Sequence, residues 1–209
     1  MMQDLAEAVD GDGRRRGGNR RAQILDVALK LFAQKGMAQV TTRQIAQEVG
    51  ISQPSLYAHF RSADEIAAEL CVRAFGALAE AMGRVAGGDA SPIERLRRMG
   101  RAYVDFALDQ PDMYRVAFML EDPRGCTPHG IETEEGLVDP VLAAGLQCFA
   151  CMHRVVVEQV GSDDDRAMIL AQSTWAHVHG LVSLLIARHE FPWADREALI
   201  EEHLGRMSF

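Results

Sequence analysis

The chain has 209 residues, of which 48% are hydrophobic and 25% charged, and carries a net charge of −8. That length buries a substantial core and allows two modest domains, while no uninterrupted apolar run reaches the roughly 18 residues of a membrane span and the opening Met-Met-Gln-Asp lacks the basic-then-apolar order of a secretory signal. Four cysteines, Cys71, Cys126, Cys148 and Cys151, show no disulfide framework, so a reducing cytoplasm is the expected compartment.

Residues 1–18 include the run Gly-Asp-Gly-Arg-Arg-Arg-Gly-Gly and read as a mobile tail, whose Arg14, Arg15 and Arg16 are either a solvated run or an arm for a minor groove. A first helix is expected from about Arg20 to Gln34, burying Ile24, Leu25, Ala28, Leu31 and Phe32 on one stripe. A second, Thr42–Val49, places Ile45, Ala46 and Val49 on one face. Thr41 and Gln44 form a capping box for it. Gly50 supplies the corner, and Ser52 caps a third helix that turns Leu56 and Phe60 inward. Two short helices joined by a tight turn make a helix-turn-helix, which seats its second helix in the DNA major groove.

The outward groups suit that task. Gln53, Ser55, Tyr57 and His59 carry hydrogen-bonding edges, and Pro54 offers an apolar surface to a thymine methyl. Thr42, Arg43 and Tyr57 are placed for phosphates, which position a protein without reading sequence. Charge is distributed accordingly. Residues 1–63 hold 9 Lys and Arg against 6 Asp and Glu, whereas residues 64–209 hold 13 against 24. A basic head on an acidic body fits a polyanion partner.

Residues 20–65 resemble the DNA-binding domain of the TetR family of one-component transcriptional regulators. The family pattern T-T-x-x-I-A-x-x-x-G-V-S-x-x-x-L-Y-x-H-F is met by Thr41-Thr42-Arg43-Gln44-Ile45-Ala46, Gly50-Ile51-Ser52, Leu56-Tyr57 and His59-Phe60, after Lys35-Gly36. The resemblance implies DNA contacts by Thr41, Thr42, Arg43, Gln53, Pro54, Ser55, Tyr57, His59 and Arg61. The family's F-x-S-K link departs here to Arg61-Ser62-Ala63, so Arg61 takes the phosphate and Ala63 does not.

Ser62-Ala63-Asp64-Glu65 is a second capping box and opens a long helix to about Val85, the expected mechanical link between a head (19–63) and a body (64–209). Ser91-Pro92-Ile93-Glu94 starts another helix to about Asp109, and Pro111 resets the chain for a shorter one to about Leu120. Glu121–Val138 reads as a long loop, either a lid or disordered. Helices then follow from Asp139-Pro140 to about Val160, from about Asp164 to Arg188, and from about Ala194 to Met207. The fold class is all-α, with about nine helices.

Trp175-Ala176-His177-Val178-His179-Gly180 resembles a C-terminal subtype of that family with a Trp-His-Gly signature, as does Gln110–Phe118. It implies a ligand-binding and dimerisation body. Tyr114, Phe118, Met119, Phe149, Met152, Trp175 and His179 are the candidate effector pocket, an apolar set with a few polar tips. Helical spacing puts His177, Leu181 and Leu184 on one face and Leu199, Ile200, His203 and Leu204 on another, the candidate dimer interface.

The expected function is a cytoplasmic, homodimeric DNA-binding regulator. It would act as a repressor, released from a near-palindromic double-stranded operator by a small-molecule effector, with no cofactor, metal or membrane partner. A metal-responsive regulator is the alternative, using Cys148, Cys151 and His153, or Cys126 and His129, as thiolate and imidazole ligands. His153 lies off the face that the two cysteines share. An enzyme on a helical bundle ranks below it, because no nucleophile elbow, phosphate-binding glycine loop or H-E-x-x-H pattern is present.

Overall fold

The computed structural model describes residues 20–120, 131–133 and 136–207, which are almost entirely helical. The tail arginines, and Cys126 and His129, lie outside the described residues. The chain divides into two compact units, the first built on residues up to Leu70 together with Leu120, the second on the remainder.

In the first unit, α1 is helical over residues 20–35, and its five stripe residues are all buried. A 3₁₀ turn, Met37–Gln39, leads to α2 (Thr42–Val49). Thr41 Oγ1 accepts from the Gln44 amide at 3.3 Å, and Gln44 Oε1 accepts from the Thr41 amide at 2.8 Å, so the capping box forms as expected. Gly50 turns left-handed at φ 76°, and the Ile51 amide returns to the Ala46 carbonyl at 3.0 Å, a Schellman-type closure that a β-carbon would strain. Then α3 (Gln53–Tyr57) begins on the Ser52 cap and buries Leu56. Phe60 is buried in this unit, as are Ile24, Phe32, Ile45 and Ile66, all at most 1% exposed.

The helix α4 (Ala63–Val85) contributes Ile66, Ala67 and Leu70 to the first unit's core, so the division falls within α4 rather than at its start. Its start differs in one detail from the expected box. Ser62 Oγ accepts from the Glu65 amide, but the Glu65 carboxylate accepts from the Arg61 amide at 2.6 Å, one residue earlier than the cap.

The second unit packs α5 (Pro92–Asp109) against α7 (Pro140–Val160), α8 (Asp165–Ala187) and α9 (Arg196–Gly205). Proline begins both α5 and α7, where a missing amide hydrogen costs little. After α5, a single turn α6 (Pro111–Tyr114) widens into a π-helical segment, Arg115–Met119. Within the expected 121–138 loop, β1 (Ile131–Thr133) and β2 (Gly136–Val138) pair antiparallel, Ile131 opposite Val138. Alternation too short to register in a sequence reading accounts for the omission.

By length and mean hydropathy, 1.5 and 1.3, α7 and α8 could each cross a membrane. Gln147, His153 and Arg154 interrupt the first, and Arg166, His177 and His179 the second, while one face of each is buried in the body's core. The crossing of α5 with α9 is close. A β-carbon on Gly100 would lie 2.8 Å from Leu204 Cδ2 and 3.5 Å from Met207 Sδ and Val178 Cγ2. Gly100→Val should therefore lower body stability by about 1–3 kcal/mol through overpacking, read as a fall in thermal midpoint.

Candidate nucleic-acid interface

Tyr57 is the organising group of the exposed α2–α3 surface. It is 49% exposed, and its hydroxyl lies 3.2 Å from Thr42 Oγ1 and accepts from Gln53 Nε2 at 3.3 Å. The hydrogen bond with Thr42, then that with Gln53, holds the phenol below its ordinary pKa. If Thr42 and Gln53 both donate, the phenolic hydrogen is left pointing outward for a phosphate oxygen. Arg43, Gln53, Pro54 and Ser55 are exposed on the same two helices, and Arg61 is exposed just beyond them.

Two expected contact residues also make internal hydrogen bonds in this geometry. The Thr41 hydroxyl accepts the Gln44 amide and lies 3.0 Å from Gln44 Oε1, so the cap occupies it. His59 is not an outward residue of α3. It lies in the turn after Tyr57, is half-buried, and its carbonyl accepts from the Arg21 guanidinium.

Arg21 was not anticipated as a site residue. Besides bonding the His59 carbonyl, it pairs with Glu69 of α4 and stands 4.0 Å over the Phe60 ring. One guanidinium thus joins α1, the turn after α3 and α4, a fixed fork that lysine could not reproduce. The sequence signal was weak: a basic residue on the polar side of α1 ordinarily faces water.

In the second unit, four of the seven candidate effector residues meet in one cluster. Tyr114 is fully buried, and its hydroxyl is 2.6 Å from His179 Nδ1. Phe118 packs on Tyr114 and His179, at centroid distances of 4.9 and 5.6 Å. The Trp175 indole donates to the Tyr103 hydroxyl at 3.4 Å. Tyr103 itself reaches His179 Nδ1 at 3.1 Å, and Ser183 Oγ is 3.2 Å from Nε2. Tyr103 and Ser183 were missed, although Tyr103 falls on the buried stripe of α5, where a phenol needs a partner. Burial lowers the His179 pKa, which favours the neutral ring, and in the tautomer protonated at Nε2 the Tyr114 hydroxyl donates to Nδ1. Phe149 adjoins Trp175 at 6.2 Å, whereas Met152 is buried in the general core and Met119 packs only at its margin.

The expected dimer residues divide. Leu181, Ile200 and Leu204 are at most 6% exposed inside a single chain, so they belong to its own core and not to a face between chains. Helical spacing alone had put them on stripes without saying which stripe faces inward. His177 and His203 clasp α8 to α9: each Nε2 lies 2.9–3.0 Å from the other's carbonyl, and the rings stack at 3.7 Å. Burial lowers the His203 pKa. Leu199 is half-buried, and Leu184 remains exposed at 51%.

Cys148 is buried, which pushes its thiol up to about 12, with the neighbouring Cys151 adding to the effect; a thiol so held is a poor thiolate ligand. His153 stacks on Phe149. Among the described residues no three His, Cys, Asp or Glu side chains converge as a metal site.

Comparison with known proteins matches residues 24–70 to the family described as bacterial regulatory proteins, tetR family, and residues 96–207 to the tetracyclin repressor-like C-terminal domain. The uncharacterized HTH-type transcriptional regulator YobS of Bacillus subtilis is 25% identical over 90% of this chain and 88% of its own. The HTH-type transcriptional activator FasR of Mycolicibacterium smegmatis is 26% identical over 96% of this chain and 90% of its own. Among solved structures, the regulatory protein SCO4313 superposes with a TM-score of 0.73 at 24% identity, covering 92% of this chain and 96% of that one. The fatty acid degradation regulator FadR of Bacillus halodurans gives 0.68 at 14% identity, covering 89% and 93%. At such identities the structural likeness speaks for the fold.

Proposed function

The chain belongs to the TetR family of bacterial transcriptional regulators and binds DNA through its helix-turn-helix, and we propose that it is a homodimeric repressor released from its operator by a small molecule bound in the helical body. The observation that carries the reading is the α2–α3 surface. Two capped helices around Gly50 present Arg43, Gln53, Ser55 and Tyr57 outward while Leu56 and Phe60 anchor them from behind. In this reading Gln53, Pro54 and Ser55 meet base edges, and Thr42, Arg43, Tyr57 and Arg61 meet phosphates.

Dimerisation is supported by an unburied stripe on α8. Ile169, Ser173, Ala176, Gly180, Leu184 and Ala187 recur at three and four residues, and nothing lies within 4 Å of where a Gly180 β-carbon would point. Small residues there would let a second α8 approach closely, and this stripe replaces Leu181, Ile200 and Leu204 as the proposed interface. Two heads would then enter successive major grooves about 34–36 Å apart on a near-palindromic operator. Release follows if the effector prefers a form with the wrong head spacing, because it shifts the equilibrium by its differential affinity. The Tyr103–Tyr114–His179–Trp175 cluster supports an effector domain, since it gathers four hydrogen-bonding side chains beside Phe118, with Trp175 40% exposed at its edge. The cytoplasm, at the nucleoid when DNA is bound, is the matching location.

The test is footprinting of genomic fragments at low salt, with the oligomeric state measured in parallel. A dimer protecting one near-palindromic intergenic site is expected. A monomer with no preference among fragments would sink the reading.

A further inference from the structure

The body also contains a concavity that the aromatic cluster does not explain. A cleft of about 200 Å³ opens beside the ends of α5 and α8 and the start of α9. Leu108, Leu185, Ile186 and Trp193 give it apolar surface. Its polar lining is two arginines and a histidine, Arg115, Arg196 and His189, and the lining includes no carboxylate. This is against the grain of its surroundings, for residues 64–209 carry 24 acidic side chains and 13 basic ones.

We propose that this cleft binds a small organic carboxylate, an anionic head on an apolar body of one ring or a short chain. Both guanidiniums have capacity for it. Arg115 makes only long contacts, 3.5 Å to Asp112 and 3.4 Å to the Ile186 carbonyl, at the outer edge of hydrogen bonding. Arg196 makes no ion pair or hydrogen bond among the described residues. Asp112 balances Arg115 only at 3.5 Å and Glu190 lies 3.4 Å from His189, but no carboxylate in the lining is shared by the two guanidiniums, and a bound carboxylate would accept charge-assisted hydrogen bonds from them.

The apolar side is prepared as well. The Trp193 indole donates to the Arg188 carbonyl at 2.9 Å and packs on Phe191 at 4.5 Å, which fixes its ring. Arg115 opens the π-helical segment, a distortion that recurs at functional sites. The volume lies below the roughly 300–1,000 Å³ of sites for drug-sized ligands, so the cleft selects a small acid over a polycyclic one. The site stands on the cleft alone and holds whether or not its occupancy alters DNA affinity.

Calorimetric titration of the 209-residue chain with benzoate and with hexanoate tests the assignment, with benzamide and hexanamide as the uncharged matches. At least one acid should bind saturably at one site, and its uncharged match at least about tenfold more weakly. Arg196→Gln, at an exposed position, should weaken the acid by about tenfold and leave the weak benzamide signal unchanged. The assignment is overturned if neither acid binds with a Kd below about 10 mM, if acid and amide bind alike, or if Arg196→Gln leaves acid affinity unaltered.

Discussion

Tyr57→Ala should weaken operator binding by about a hundredfold with the fold and the dimer intact. Each head loses one hydrogen bond to a charged phosphate, worth about 1.5 kcal/mol, and a dimer loses two, so about 3 kcal/mol disappears. Tyr57 is half-exposed, and Leu56 and Phe60, not Tyr57, hold α3 to the core, so the cost in stability should be small. Arg43→Ala should give a loss of similar size with a different signature. It removes a cation from each head and should flatten the dependence of log affinity on log salt by about one unit per head, because one fewer counterion is released. Tyr57→Ala removes no charge and should leave that slope unchanged. Gel shifts across a salt series separate the two, and unaltered affinity in both variants would overturn the assigned surface.

Removing both phenols from the body should destabilise it by more than the two single changes together. Tyr114→Phe deletes the 2.6 Å bond to His179 Nδ1, but the Tyr103 hydroxyl, 3.1 Å away, takes its place. Tyr103→Phe leaves the Tyr114 bond standing and removes the acceptor of the Trp175 indole, which at 40% exposure water can replace. Each single change therefore costs about 1 kcal/mol. Together they leave the half-buried His179 Nδ1 with neither phenol, for a total of about 3–4 kcal/mol. Chemical denaturation of the four-member cycle measures the coupling, and strict additivity would show that the hydroxyls act independently.

The head was legible because each of its devices is local. Thr41 with Gln44, Gly50, and Ser52 with Ser55 are bonded within four residues of one another, so spacing alone predicts them, and the buried stripe of α1 follows from a single helical period. Arg21 was not legible, because its partners His59, Phe60 and Glu69 are about forty residues away and no local pattern marks them.

The body shows the same boundary between local and distant information. Residue order alone pointed to the long helices and their caps, to the proposed DNA-contacting surface, and to the candidacy of Tyr114, Phe118, Trp175 and His179. The tertiary structure alone decided that Leu181, Ile200 and Leu204 turn inward, that Tyr103 and Ser183 complete the His179 cluster, and that Arg115 and Arg196 line one cleft. Periodicity reports that a helix has an apolar face. Which neighbour covers that face depends on contacts between segments far apart in the chain, and these form only when the helices pack.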